Sequence, residues 1–217
     1  MRCPRPGQLD GPDGAEPGPV GNDDSEVSAM RVCVFCSSSE RAEARLLEQG
    51  RELGRALATA GHEVVYGGTP LGTMGAVVEG ARQAGGRVTA IIPQFLVDRG
   101  IADRDCDELV VTADLLERKR EMLARSDAFV TLPGGLGTLD ELLEVVTHVY
   151  LGQLETTMVL LDDAGFFDGL VEVLRDLQRR HLARAPEELL HVHTRVEDAV
   201  AALEAPERRM PDAVWRV

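Results

Sequence analysis

Apolar residues along this chain follow two alternating rhythms. Short continuous runs, such as the RVCVFC of residues 31–36, have the length of strands buried on both faces. Between them lie longer stretches in which apolar residues return every three or four positions, the mark of an amphipathic helix. The runs predict strands at 31–36, 62–66, 87–92, 127–132 and 157–161, with a short strand at 107–111 and a weak one at 189–193. The periodic stretches predict helices at 39–60, 73–84, 113–125, 138–151, 165–181 and 195–204, and a loop rich in Asp and Arg separates 92 from 107. Such alternation specifies an α/β fold in which a parallel sheet carries helices on both faces. In a sheet of this kind ligands sit beyond the carboxyl ends of the strands.

The first 24 residues break the pattern, with five Pro and five Gly among scattered acids. That composition buries too little apolar surface to order itself, so residues 1–29 are expected to form a disordered leader. Residues 30–205 then make a single domain and 206–217 a tail, since 217 residues suffice for one core. A net charge of −14 argues against general affinity for nucleic acid or an anionic membrane. No apolar run approaches the roughly 20 residues that span a bilayer, and a cytoplasmic location is expected. Four cysteines, Cys3, Cys33, Cys36 and Cys106, are too scattered for a disulfide framework. Cys33 and Cys36 have a redox or zinc spacing, but on a strand they point to opposite faces, and His191 and His193 lack a third ligand nearby. No metal is expected.

Two turns between a strand and a helix are rich in glycine, YGGTPLGTMG at 66–75 and LPGGLGT at 132–138. Each presents backbone N–H groups and a positive helix end together, which suits a phosphate. Neither is a P-loop or a dinucleotide fingerprint, because no Gly-Lys-Ser/Thr follows and Asp140 stands where the third small residue would be.

Charge marks a second feature. Of 23 basic residues only Lys119 is a lysine. On a helical wheel for 113–125, Leu115, Leu116, Met122 and Leu123 form an apolar arc with Lys119 in its middle and Arg118 at its edge. Cations on a buried face require an anion, either a structural carboxylate or a ligand. On the next helix Glu141 sits at the border of the apolar arc, one turn from the second glycine-rich turn. Thr138-x-x-Glu141 reads as a capping box, and the same position brings a carboxylate close to any phosphate held by that turn.

Taken together, Arg118-Lys119-x-x-Met122 and Pro133-Gly134-Gly135-x-Gly137-Thr138-x-x-Glu141 resemble the paired signature of the LOG (Lonely Guy) phosphoribohydrolases. These enzymes release a cytokinin base from its riboside 5'-monophosphate, and older labels call such sequences lysine decarboxylases. The likeness runs from about Arg31 to Leu203. It implies a Rossmann-like, doubly wound sheet, a homodimer or an assembly of dimers with the site near a subunit interface, and no cofactor. It further implies that Arg118 and Glu141 are the catalytic pair. Lys119, Gly134, Gly135, Gly137 and Thr138 then hold the phosphate. Ser38 and Ser39 match a serine turn, Gly72, Met74 and Gly75 match a G-L-M-G element, and Leu115 stands where the family has Met. Further departures are Ser37, Thr69, Thr73 and Leu136, which fall around the catalytic elements and bear on which base is recognised.

The expected activity is hydrolysis of the N-glycosidic bond of a purine nucleoside 5'-monophosphate, cytokinin-type or AMP-like, giving free base and ribose 5-phosphate. A pyridoxal-phosphate decarboxylase would need a Schiff-base lysine, for which Lys119 is the sole candidate. A non-catalytic nucleotide carrier on the same fold would have no use for a carboxylate beside a phosphate. A phosphoribohydrolase specialised for another nucleotide differs in substrate, not in chemistry.

Overall fold

Alternate residues of each apolar run face opposite layers, and that fixes where the helices go. A computed structural model describes residues 28–162 and 164–205, so residues 1–27 of the expected leader and the expected tail 206–217 lie outside the described residues. Seven strands, β1 (Arg31–Phe35), β2 (Glu63–Tyr66), β3 (Val88–Pro93), β4 (Glu108–Thr112), β5 (Ala128–Thr131), β6 (Met158–Leu161) and β7 (His191–His193), form one sheet in the order β4-β3-β2-β1-β5-β6-β7. All six pairings are parallel. The helices are α1 (Ala44–Thr59), α2 (Gly72–Gln83), α3 (Gln94–Asp98), α4 (Leu115–Ala124), α5 (Leu136–Tyr150), α6 (Asp168–Arg179) and α7 (Val196–Glu204).

Val32 and Val34 of β1 belong to the core layer shared with α1, α2 and α7, whereas Cys33 and Phe35 belong to the layer shared with α4, α5 and α6. The outcome is a doubly wound, Rossmann-like sheet. From β1 the chain winds outward through β2, β3 and β4, then returns to the other side of β1 as β5 and continues to β7. The order therefore reverses between β1 and β5, and the crevice beyond their carboxyl ends is where such sheets bind ligands. The loops that rim it are 36–43 and 132–135.

Four departures from the sequence pattern bear on that crevice. Helix α1 starts at Ala44 rather than 39, because the Ser37 and Ser39 hydroxyls accept the N–H groups of Ser39 and Arg41 and hold a turn in place of helix. The loop after β3 contains the one-turn helix α3, too short to show a period. Helix α5 starts two residues early, at Leu136, with Gly135 as N-cap and no side-chain cap bond. The capping-box reading of Thr138 and Glu141 is thus overturned, since both lie inside the helix. On α4 the apolar arc is only partly buried: Met122 is enclosed, while Leu115 and Leu116 are half exposed.

Candidate active site

Helix α4 is fixed at its start by Asp114, whose carboxylate accepts the Glu117 N–H at 2.8 Å. One turn later Arg118 turns inward, with its side chain 12% exposed, and its Nη1 donates to Oε1 of Glu141 on α5 at 2.6 Å. Its Nε donates to the Ile91 carbonyl at the end of β3, 3.1 Å away. The guanidinium is thereby held at two of its edges. Burial pushes the Glu141 carboxyl above its ordinary value, and the Arg118 charge pulls it back without cancelling the shift.

Lys119 takes a different direction. Its ammonium lies 3.0 Å from Asp140, mostly exposed on α5, and 3.1 Å from the largely covered Glu144 one turn later. Burial works against its charge, but hydrogen bonds to the two carboxylates hold its pKa above the ordinary lysine value. A lysine kept charged in this way is poorly suited to a Schiff base, which needs the free amine. Lys119 therefore clamps α4 to α5 beside the Arg118–Glu141 pair.

At the start of α5 the N–H groups of Leu136, Gly137 and Thr138 precede the first intrahelical bond, which runs from the Leu139 N–H to the Gly135 carbonyl. No acidic side chain occupies this first turn. A Cβ on Gly135 or Gly137 would meet no atom within 4 Å, and neither residue has a positive φ, so neither packing nor backbone conformation calls for glycine there. Open space over an uncapped helix start accepts an anion. Gly134 differs, because the Thr138 side chain lies against it.

The other expected residues join this cluster by contact. Gly72, at φ +58°, packs on Ser38 and Ser39, and the Met74 N–H donates to the Ser37 carbonyl at 3.0 Å. Gly75 lies against the Pro70 backbone. The Met74 side chain reaches Gly67, which also lies beneath the Arg118 guanidinium. Ser38, Ser39, Gly72, Met74, Gly75 and Arg118 are linked in this way, and Arg118 links them to Glu141. Leu115, one turn before Arg118, is 52% exposed at the rim. Gly67 and the Ile91 carbonyl were not singled out from sequence. Gly67 had a signal in the glycine-rich turn, whereas a backbone carbonyl has none.

Cys33 and Cys36 are buried on opposite layers, and burial, reinforced by the nearby Glu141 charge, pushes both thiols up, which leaves them unreactive. Among the described residues no cluster of three His, Cys, Asp or Glu is arranged to hold a metal, and no helix is long and apolar enough to cross a membrane.

A doubly wound sheet with an open, uncapped helix start beside an inward-facing Arg–Glu pair is an α/β domain whose strand ends can hold an anion. Comparison narrows the class: the family described as "Possible lysine decarboxylase" matches residues 74–203. A cytokinin riboside 5'-monophosphate phosphoribohydrolase of Mycobacterium marinum is 44% identical over 178 residues, 82% of this chain and 95% of the relative. The chain belongs to this phosphoribohydrolase family. Among solved structures, that of TM1055 superposes with a TM-score of 0.64 at 28% identity, covering 80% of this chain and 98% of its own. The molybdenum cofactor carrier protein of Chlamydomonas reinhardtii, at 22% identity and TM-score 0.62 over 82% of this chain and 97% of its own, shares the fold.

Proposed function

We propose that this protein hydrolyses the N-glycosidic bond of a purine nucleoside 5'-monophosphate, AMP-like or cytokinin-type, to free base and ribose 5-phosphate. The observation that carries the reading is the buried Arg118–Glu141 pair at 2.6 Å beside an uncapped, unobstructed α5 start. The 44% identity to a phosphoribohydrolase across most of the chain supports the same reaction.

The 5'-phosphate rests on the N–H groups of Leu136, Gly137 and Thr138 at the positive end of α5, with Gly135 and Gly137 leaving room for its oxygens and Gly134 making room for the Thr138 side chain. Ser38, Ser39, Gly72, Met74 and Gly75 form the facing wall, and Leu115 and Lys119 complete the rim and its charge. As the bond between C1' and the base nitrogen breaks, its electron pair leaves with the base, which ends with the proton that the attacking water gives up. Positive charge develops on the ribose ring, and the Glu141 carboxylate stabilises it and orients the water whose oxygen bonds C1'. Arg118 keeps that carboxylate ionised and aimed, through a planar fork that lysine lacks. Water is the only co-substrate, and no cofactor takes part.

Residues 30–205 act as one catalytic unit in this account. Half-exposed Leu116 and Leu143, with Leu136 at 87% exposure, flank the site on α4 and α5, and a second copy of the chain covers them in a homodimer. The free thiols Cys33, Cys36 and Cys106 fit a cytoplasmic, reducing environment. A panel of nucleoside 5'-monophosphates, assayed for ribose 5-phosphate, tests the reading. Turnover of at least one purine monophosphate and none of its phosphate-free nucleoside is expected, and release of base from neither would overturn it.

A further inference from the structure

We infer that Gly67 is the positioning residue for Arg118: its bare Cα is the seat of the guanidinium, and a side chain there would lift Arg118 off Glu141. The inference rests on the catalytic reading of that pair.

A Cβ built on Gly67 would stand 2.2 Å from Arg118 Nη2, 2.8 Å from Met74 Cε and 3.1 Å from Met74 Sδ. All three are far ends of flexible side chains. The backbone does not call for glycine here, because Gly67 is absent from the residues with positive φ. Its neighbour Gly68 is the opposite case: φ is +83°, and a Cβ there would lie 2.7 Å from Ile92 Cβ. Arg118, the nearest atom, and the flexible end of Met74 therefore account for the missing side chain at 67, as backbone conformation accounts for the one at 68.

The guanidinium is a rigid plane held on three sides, by the Ile91 carbonyl at Nε, by Glu141 at Nη1 and by the Gly67 surface at Nη2. A methyl group at 67 needs a van der Waals separation from Nη2, so the plane must retreat by about 1 Å or more. In a rigid fork Nη1 moves with Nη2, and the 2.6 Å contact to Glu141 opens. Glu141 then keeps the burial that raises its pKa and loses the hydrogen bond, with part of the charge attraction, that opposes it. The remaining groups that act on the carboxylate are Lys119 on α4 and Asp140 on α5, of opposite sign, with the buried thiols of Cys33 and Cys36 on the β1 side.

The test is Gly67→Ala, alone and with Arg118→Ala, in the full-length protein. Carboxyl 13C NMR of Glu141 gives a titration that needs no turnover. In Gly67→Ala that titration is expected to move to higher pH, with the melting temperature nearly unchanged and kcat for a nucleoside 5'-monophosphate down about 100-fold. In the Arg118→Ala background the same substitution should leave the Glu141 titration where it is and lower the rate by far less than in the native background, because the guanidinium is gone and only the flexible Met74 end must yield. An unshifted Glu141 titration in Gly67→Ala, or losses that add in full across the two backgrounds, would overturn the inference. Should Gly67→Ala fail to fold, recovery of folding in the double variant supports the inference, and continued unfolding overturns it. Absence of base release by the native protein is a separate outcome, which sinks the catalytic reading and leaves the NMR result to decide Gly67.

Discussion

The two glycine-rich turns open helices onto the same crevice, yet their glycines answer to different neighbours. In the turn of residues 66–75 the space of each missing side chain is already taken: by Arg118 and Met74 at Gly67, by Ile92 at Gly68, by Ser38 and Ser39 at Gly72 and by the Pro70 backbone at Gly75. In the turn of residues 132–138 only Gly134 is occupied, by Thr138, while Gly135 and Gly137 look onto open space. Glycine builds the first turn and clears the second. A glycine that protein atoms crowd reports on packing; one that nothing crowds, at an uncapped helix start, leaves space that a ligand could use.

Substitution separates these roles. Gly75→Ala would place a Cβ 2.3 Å from the Pro70 carbonyl oxygen, a backbone atom that cannot swing away. It is expected to lower the melting temperature by about 10 °C or more, or to prevent folding. Gly137→Ala meets nothing in the protein and improves helix propensity, so its melting temperature should stay level or rise slightly. Its methyl group intrudes on the bound phosphate instead, and KM should rise about tenfold, roughly 1.4 kcal/mol of binding. Equal melting and KM in both variants would erase the distinction between the turns.

The comparison extends to the pH profile. In the proposed reaction Glu141 acts ionised, and its pKa is raised by burial, so kcat/KM should fall as pH drops through a value above that of an ordinary glutamate. Arg118→Ala removes the opposing charge and should move the acid limb higher still. The stability linkage has the matching sign. The protonated form is favoured in the folded state, so this group's contribution is complete below the unfolded pKa and is lost as pH rises through the folded one. The smallest effect on turnover is expected at Lys119. Its partners are Asp140, mostly exposed, and Glu144, whose Oε2 is buried. Lys119→Met leaves that covered carboxylate without its cation and should cost about 1–3 kcal/mol in thermal melting while changing kcat only a few-fold.

The strands were legible because both faces of this sheet are covered, which leaves runs such as RVCVFC with no polar face to hide. The Arg118–Glu141 pairing was legible only as a need for charge balance, with the family resemblance supplying the partner. Its competitor, the capping box, failed for a physical reason: Thr-x-x-Glu is the same spacing whether the helix starts at 138 or two residues earlier, and the glycines before Thr138 allow the earlier start. The wheel placed Lys119 deeper than Arg118, whereas Arg118 is the less exposed at 12% against 17%. A wheel assigns direction from Cα positions alone, and here the longer reach of Arg118 to Ile91 and Glu141 decides depth. Gly67 was hidden because a glycine that admits a side chain and one that admits a positive φ look alike in sequence.

The central claim is that Glu141, aimed by Arg118, breaks the bond between ribose and base. The direct measurement is parallel release of free base and ribose 5-phosphate from AMP or an N6-substituted analogue by the native protein and by Glu141→Gln, with folding of both confirmed by thermal melting. Equimolar base and ribose 5-phosphate are expected from the native protein, and none above background from the folded variant. Turnover by Glu141→Gln at the native rate would contradict the claim.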